Sequence, residues 1–324
     1  MALRPIIILA GPTASGKSQL AIAIAKIFDG VIINADAMQI YQELPVLTAQ
    51  PSPEEQQGIP HQLYGTLQGN TPCSAAKWVT LTKAAIEQAD QEGKTPIIVG
   101  GTGLYLKSLM EGLSPIPDIS PAIREKIRKH AVEIGNPAFH EELQTLDPVM
   151  AEKLRPSDTQ RLIRAREVLE QTGKSLADWQ QEPPITYFPA SRFLAFFLHP
   201  ERSWLYDNCN TRFVKMLETG ALQEVKALAS KHYSPDLPVM KALGVPELLY
   251  YLDGYLTLEE ATTTAQQSTR HYAKRQVTWF KHQLKGAHEI TYQNAETAKN
   301  KVIEVIHQFL LTQSSGKRTL DGLF

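Results

Sequence analysis

The segment Gly11-Pro12-Thr13-Ala14-Ser15-Gly16-Lys17-Ser18 constrains this chain more than any other stretch. It fits the pattern G-x-x-x-x-G-K-[ST], and its flanks are the ones that pattern needs. Before it, Pro5–Ala10 is a continuous apolar run of the kind found in strands buried on both faces. After it, Gln19–Phe28 carries helical periodicity. Between strand and helix, glycines let successive backbone N–H groups converge on phosphate oxygens, and the helix N-terminus adds its dipole. Gly11, Pro12, Thr13, Ala14, Ser15 and Gly16 are therefore expected to cradle phosphate. Lys17 adds a point charge, and Ser18 can ligate Mg²⁺. A chance glycine-rich turn is the alternative, and the position between strand and helix argues against it.

The rest of the chain supplies a sheet for that cradle. Val31–Asn34, Pro96–Val99 and Phe193–Leu198 read as further short strands, with helical stretches such as Ala75–Glu92 between them. Such alternation argues for a parallel sheet with helices on both faces. Residues 120–181 break the rhythm: they carry no strand and read as helices, including Pro121–Ile134 and Asp158–Thr172. The fold class is α/β, a P-loop NTPase-like parallel sheet flanked by helices, with a helical insertion domain. Residues 1–119 and 182–312 form the core with its C-terminal helices, 120–181 the insertion, and the polar stretch 313–324 a flexible tail.

Composition narrows the function classes. With 324 residues, 43% hydrophobic and 21% charged, the chain is globular rather than disordered. Its net charge of −1 provides no global positive field, so a nucleic-acid partner has to be held by a local patch. Cys73 and Cys209 lie far apart without a histidine pair nearby, which argues against a disulfide framework or a zinc site. The apolar run near the N-terminus is too short for a signal segment or a membrane span. A cytoplasmic monomer without membrane or protein partners is expected.

A phosphate cradle does not by itself specify ATP. Ordinary P-loop NTPases end a second strand in a Mg²⁺-binding aspartate. Here Ile97-Ile98-Val99 runs into Gly100-Gly101-Thr102, and Phe193–Leu198 into His199. Only Val31–Asn34 leads to an acid, Asp36. One carboxylate, available to a metal or to a proton, is thin equipment for phosphoryl transfer. It suffices for an alkyl transfer in which diphosphate leaves. A turn-forming or N-capping aspartate is the alternative for Asp36.

In combination these segments resemble the tRNA dimethylallyltransferases, also called isopentenyl-tRNA transferases. GPTASGKS is similar to their donor loop, Asn34–Tyr41 to their N/S-A-D-S-x-Q-I/V-Y, and Gly100–Tyr105 to their GGTGLY. Asp158–Val168 resembles N-D-x-x-R-x-x-R-A-L-E-V, and Thr269–Phe280 resembles TRxYAKRQxTWF. The resemblance implies transfer of a dimethylallyl group from dimethylallyl diphosphate to the N6 amine of adenosine 37 of tRNA. It implies Asp36 as the base, with Thr102 lining the channel where base and donor meet. It also implies tRNA contacts at Asp36, Ala37, Met38, Gln39, Thr102, Arg124, Gln160, Arg161, Leu162, Ile163 and Arg164. Two acid-poor basic segments, Arg155–Arg166 and Arg270–Lys285, read as phosphate-backbone contacts. Ala37, Gln42, Gln50, Asn208 and Val245-Pro246 depart from the family pattern, mostly by losing positive charge. The rival readings are an adenylate dimethylallyltransferase acting on free nucleotide, a small-molecule P-loop kinase, and a non-catalytic RNA-binding protein.

Overall fold

The structure, a computed structural model, describes residues 4–293 and 295–318. The apolar run after Pro5 forms β1 (Ile6–Ala10), every residue of it buried, and α1 (Lys17–Phe28) follows the glycine-rich loop. Then come β2 (Gly30–Asn34), a single turn α2 (Pro53–Gln56) and the two-residue β3 (His61–Gln62). α3 (Ala75–Gln91), β4 (Thr95–Gly100) and α4 (Gly103–Glu111) follow. Four helices come next: α5 (Pro121–Leu146), α6 (Pro148–Lys153), α7 (Thr159–Thr172) and α8 (Leu176–Trp179). The chain returns as β5 (Phe193–Pro200), then α9 (Arg202–Glu218), α10 (Ala221–Ala229) and α11 (Val245–Leu252). The long α12 (Leu258–Gln283), opened by a Thr257/Glu260 capping box, leads to β6 (His288–Tyr292) and α13 (Ala295–Arg318).

The sheet has six strands in the order β3-β2-β4-β1-β5-β6, and each pairing is parallel. β1 lies between β4 and β5, with Leu9 level with both Val99 and Phe196. Because the strands are parallel, the loops that leave β1, β2 and β4 emerge at one edge of the sheet, where ligands bind in such folds. The four strands read from the sequence are all present. β3 is too short to carry a pattern. β6 sits at the sheet edge and turns only Ile290 and Tyr292 inward, so its sequence lacks a long apolar run.

The chain divides into two compact units, Met1–Met110 with Phe188–Phe324, and Glu111–Tyr187. The helical unit is wider than 120–181 because Leu113 and Ile185 exchange backbone hydrogen bonds of 3.2 and 2.8 Å, drawing its two ends together. Its core is its own, built on Ile127, Phe139, Leu143, Leu162, Ala165 and Val168. α5 breaks at Gly135 (φ 75°, ψ 162°), one residue after the helix read as Pro121–Ile134, and resumes through Pro137. At the other end of the chain, α13 runs on to Arg318, into the stretch expected as a tail, since no proline stops it; residues 319–324 lie outside the described residues. Among the described residues no helix is long and apolar enough to cross a membrane.

Candidate active site

The loop after β1 has the backbone its sequence calls for. Ala14 and Gly16 adopt left-handed conformations, with φ of 61° and 80°. A Cβ on Gly11 would stand 2.9 Å from the Leu198 carbonyl oxygen, so the first glycine is set by close approach to β5. Four side chains from later in the chain then hold the loop from outside. The Thr13 N–H donates to Gln276 Oε1 at 2.8 Å, and the Gln276 amide donates to the Gly101 carbonyl at 2.9 Å. The Tyr292 hydroxyl donates to the Ser15 carbonyl, Asn208 reaches the Ala14 carbonyl at 3.4 Å, and Arg212 donates to Thr13 Oγ1.

Two cations belong to this loop. Lys17 donates from Nζ to the Pro12 carbonyl at 2.6 Å. Burial pulls its amine down to about 7, with Asp36 opposing that shift and Arg212 adding to it. Arg212 is likewise lowered, chiefly by burial, while Cys209 and Asp36 favour its charge. Both cations are therefore desolvated in advance of an anion, which strengthens any phosphate contact they make. Sequence reading missed Arg212, because nothing in its local surroundings separates it from the other basic residues of α9. It likewise gave no role to Gln276, although Gln276 lies in a quoted motif. Only the packing of α9 and α12 against the loop brings them there.

Asp36 stands just past β2, is half-buried, and is both turn-former and acceptor. Its Oδ1 accepts from the Met38 N–H at 2.9 Å and from the Gln39 N–H at 3.4 Å. No donor reaches Oδ2 among the described residues. The buried Asn34 fixes the turn from below: it accepts from the Asp36 N–H at 2.8 Å and donates to the Asp36 and Leu63 carbonyls at 3.0 Å each. Burial raises the phenols of Tyr64, Tyr272 and Tyr105, and Asp36 contributes to each, so the carboxylate has neutral rings as neighbours.

Thr102 ties the third loop to this turn. Its Oγ1 accepts from the Ala37 N–H at 2.9 Å rather than bonding Asp36 itself. Gly100 has no room for a side chain, since a Cβ would lie 2.1 Å from the Ala35 carbonyl oxygen. Gly103 packs against the Trp279 ring, which a Cβ would meet at 2.2 Å. Trp279 also lines a cavity of about 460 Å³ with His271, Lys274, Arg275 and Thr278 on α12. Gln39, read as a hydrogen-bonding partner for an acceptor, spends its amide nitrogen on the Thr48 and Ala49 carbonyls at 2.9 and 2.8 Å. Gln50, one of the departures from the family pattern, donates to the Tyr41 carbonyl at 2.7 Å and so braces the same loop.

The helical unit carries the other expected contacts. Arg124, Gln160 and Arg161 are exposed, while Arg164 is half-buried and lowered, mainly by burial, with Arg124 adding to the shift. Leu162 is a correction: it is fully buried in the helical core, so its side chain holds α7 in place and faces no ligand. Ile163 packs partly on the same core. The segment is also less free of acid than Arg155–Arg166 alone suggests. Buried Glu167 lies 3.9 Å from Arg164 and 3.5 Å from Arg128, and Glu170 pairs with Arg166 at 3.2 Å.

A parallel sheet with a glycine-rich P-loop after its first strand and a carboxylate after its second defines a P-loop protein. A family model described as IPP transferase matches residues 39–283, more than half of the chain. A tRNA dimethylallyltransferase of Rhodospirillum centenum is 49% identical over 88% of this chain and 91% of its own length. The crystal structure of a full-length tRNA isopentenylpyrophosphate transferase from Bacillus halodurans superimposes with a TM-score of 0.71 at 30% identity, over 97% of this chain and 99% of that one. A eukaryotic dimethylallyltransferase acting on tRNA gives a TM-score of 0.83 at 28% identity, over 95% of this chain and 80% of that one. The chain belongs to the tRNA dimethylallyltransferase family.

Proposed function

We propose that the protein transfers the dimethylallyl group of dimethylallyl diphosphate to the N6 amine of adenosine 37 of tRNA, releasing diphosphate. The observation that carries this reading is the pairing of one carboxylate, Asp36, with two desolvated cations, Lys17 and Arg212, in its electrostatic reach. The N6 lone pair is delocalised into the ring, so the amine is a weak nucleophile. The allylic carbon compensates by ionising readily. As the N6–C1 bond forms, the C1–O bond breaks, its electron pair leaves with the diphosphate, and the N6 proton passes to Asp36. Lys17, Arg212 and the N–H groups of Ala14–Ser18 stabilise the departing charge, and Thr102 lines the path between donor and base.

Ser18 fits a hard cation. Its hydroxyl is exposed at the first turn of α1 and has no protein partner among the described residues. With diphosphate oxygens it would hold Mg²⁺, which neutralises leaving-group charge when bound. Asp36, Ala37, Met38, Gln39 and Thr102 meet the extruded adenine. Arg124, Gln160, Arg161, Ile163 and Arg164, with the basic residues of α12, hold the RNA backbone. Donor identity is tested by thermal protection: a ligand of the native state raises the unfolding temperature. Dimethylallyl diphosphate should protect the protein more than ATP at matched concentration; stronger protection by ATP would contradict the donor assignment.

A further inference from the structure

From the loop between β2 and α2, we infer that Glu224 on α10 is a positioning residue for the acceptor side of the site. It acts through residues 44–50 on Gln39. This inference rests on the proposed function, in which Asp36–Gln39 meet the acceptor base.

The chain of contacts is continuous. The Glu224 carboxylate accepts from the Val46 N–H at 2.7 Å with one oxygen and from the Leu47 N–H at 2.9 Å with the other. The Leu47 side chain is buried and reaches α11, where it leaves no space for a Cβ on Gly244. The next two residues, Thr48 and Ala49, present their carbonyls to the Gln39 amide at 2.9 and 2.8 Å. Ala49 holds φ at 56°, a left-handed conformation that a residue with a Cβ adopts only under constraint. Within the loop the Thr48 N–H donates to the Leu44 carbonyl at 3.0 Å and the Gln50 N–H to the Pro45 carbonyl at 2.8 Å. Hydrogen bonds from both sides also hold the loop, and Glu224 closes the far one.

Burial raises the Glu224 carboxyl, and the Val46 and Leu47 N–H groups oppose that shift. A half-buried carboxylate that neutralises no cation among the described residues and bonds two loop amides is a backbone clamp. Its partners lie on the acceptor side, and none of the residues that hold the phosphate cradle takes part. Loss of the clamp should thus separate acceptor use from donor binding.

The isosteric change Glu224→Gln keeps one acceptor oxygen and sets an NH₂ against the second loop N–H. With wild-type enzyme, bulk tRNA and dimethylallyl diphosphate as probes, the variant should show a KM for tRNA raised about five- to tenfold. Its donor Kd should stay within about twofold of wild type. Gln39→Ala should give the same pattern, and the double variant should be no worse than the poorer single one, because both changes break one relay. Additive losses in the double variant, an unchanged tRNA KM, or donor Kd and tRNA KM weakened together would each overturn the inference. Should Glu224→Gln fail to fold, Glu224→Asp, one methylene too short to bond both amides, carries the same expectations. Wild-type enzyme that leaves tRNA unlabelled contradicts the proposed function instead, so the two failures are distinct.

Discussion

Asp36 uses one oxygen to hold its own turn, which leaves the other for chemistry. The turn-forming and catalytic readings of this residue are therefore compatible. Asp36→Asn keeps an oxygen for the Met38 N–H and removes the proton acceptor. Single-turnover rates should fall about 10²–10⁴-fold with donor affinity unchanged. A variant that loses donor binding instead would make Asp36 part of the phosphate site. Lys17 gives a prediction with a sign. Free Lys17 titrates near 7, and an adjacent diphosphate raises it, so donor binding takes up a proton wherever the free amine is neutral. Donor Kd should rise by up to about tenfold per pH unit above pH 7, and this dependence should vanish below it, where the amine is already charged. Calorimetry at pH 8 in two buffers of different ionisation enthalpy should register the uptake. Lys17→Arg should abolish it.

At the scale of the elements, the site is three loops tied together at the carboxyl edge of the sheet, and α12 supplies the knot. Gln276 is buried and spends both ends of its amide, on Thr13 in the cradle and Gly101 in the loop after β4. Gln276→Leu keeps the volume and leaves the part-buried Thr13 N–H and the buried Gly101 carbonyl without these partners. It should cost about 2 kcal/mol in denaturant unfolding and weaken donor binding as well. A fully stable variant with normal donor affinity would remove the knot from this picture. The sequence made β1, β2, β4 and β5 legible because each is a short apolar run followed by turn residues. It also pointed to Lys17, Asp36 and Thr102, because local motifs hold all three. It could not show Arg212 or Asn34, whose roles depend on what packs against them. Leu162 was misread for a related reason: within the motif it looks like its neighbours, and only the helical core shows that it points inward. Leu162→Ala should therefore destabilise the helical unit by about 2–5 kcal/mol, a cost read from its unfolding rather than from direct RNA contacts.

Over the whole molecule, a chain of net charge −1 can bind an RNA only through local basic surface. Arg161 is exposed and has no acid partner among the described residues, and Arg164 is only loosely paired with Glu167. Replacing both with alanine should weaken tRNA binding and flatten its salt dependence by roughly two phosphate contacts, with donor affinity unchanged. Unaltered tRNA affinity and salt slope would mean that α7 does not hold the RNA. The reaction itself is read most directly by supplying dimethylallyl diphosphate labelled in the allyl group together with tRNA in one tube and AMP in another. Label should enter tRNA, at N6 of adenosine 37, and AMP should stay unlabelled. Label in AMP with none in tRNA, or in neither, would contradict the proposed reaction.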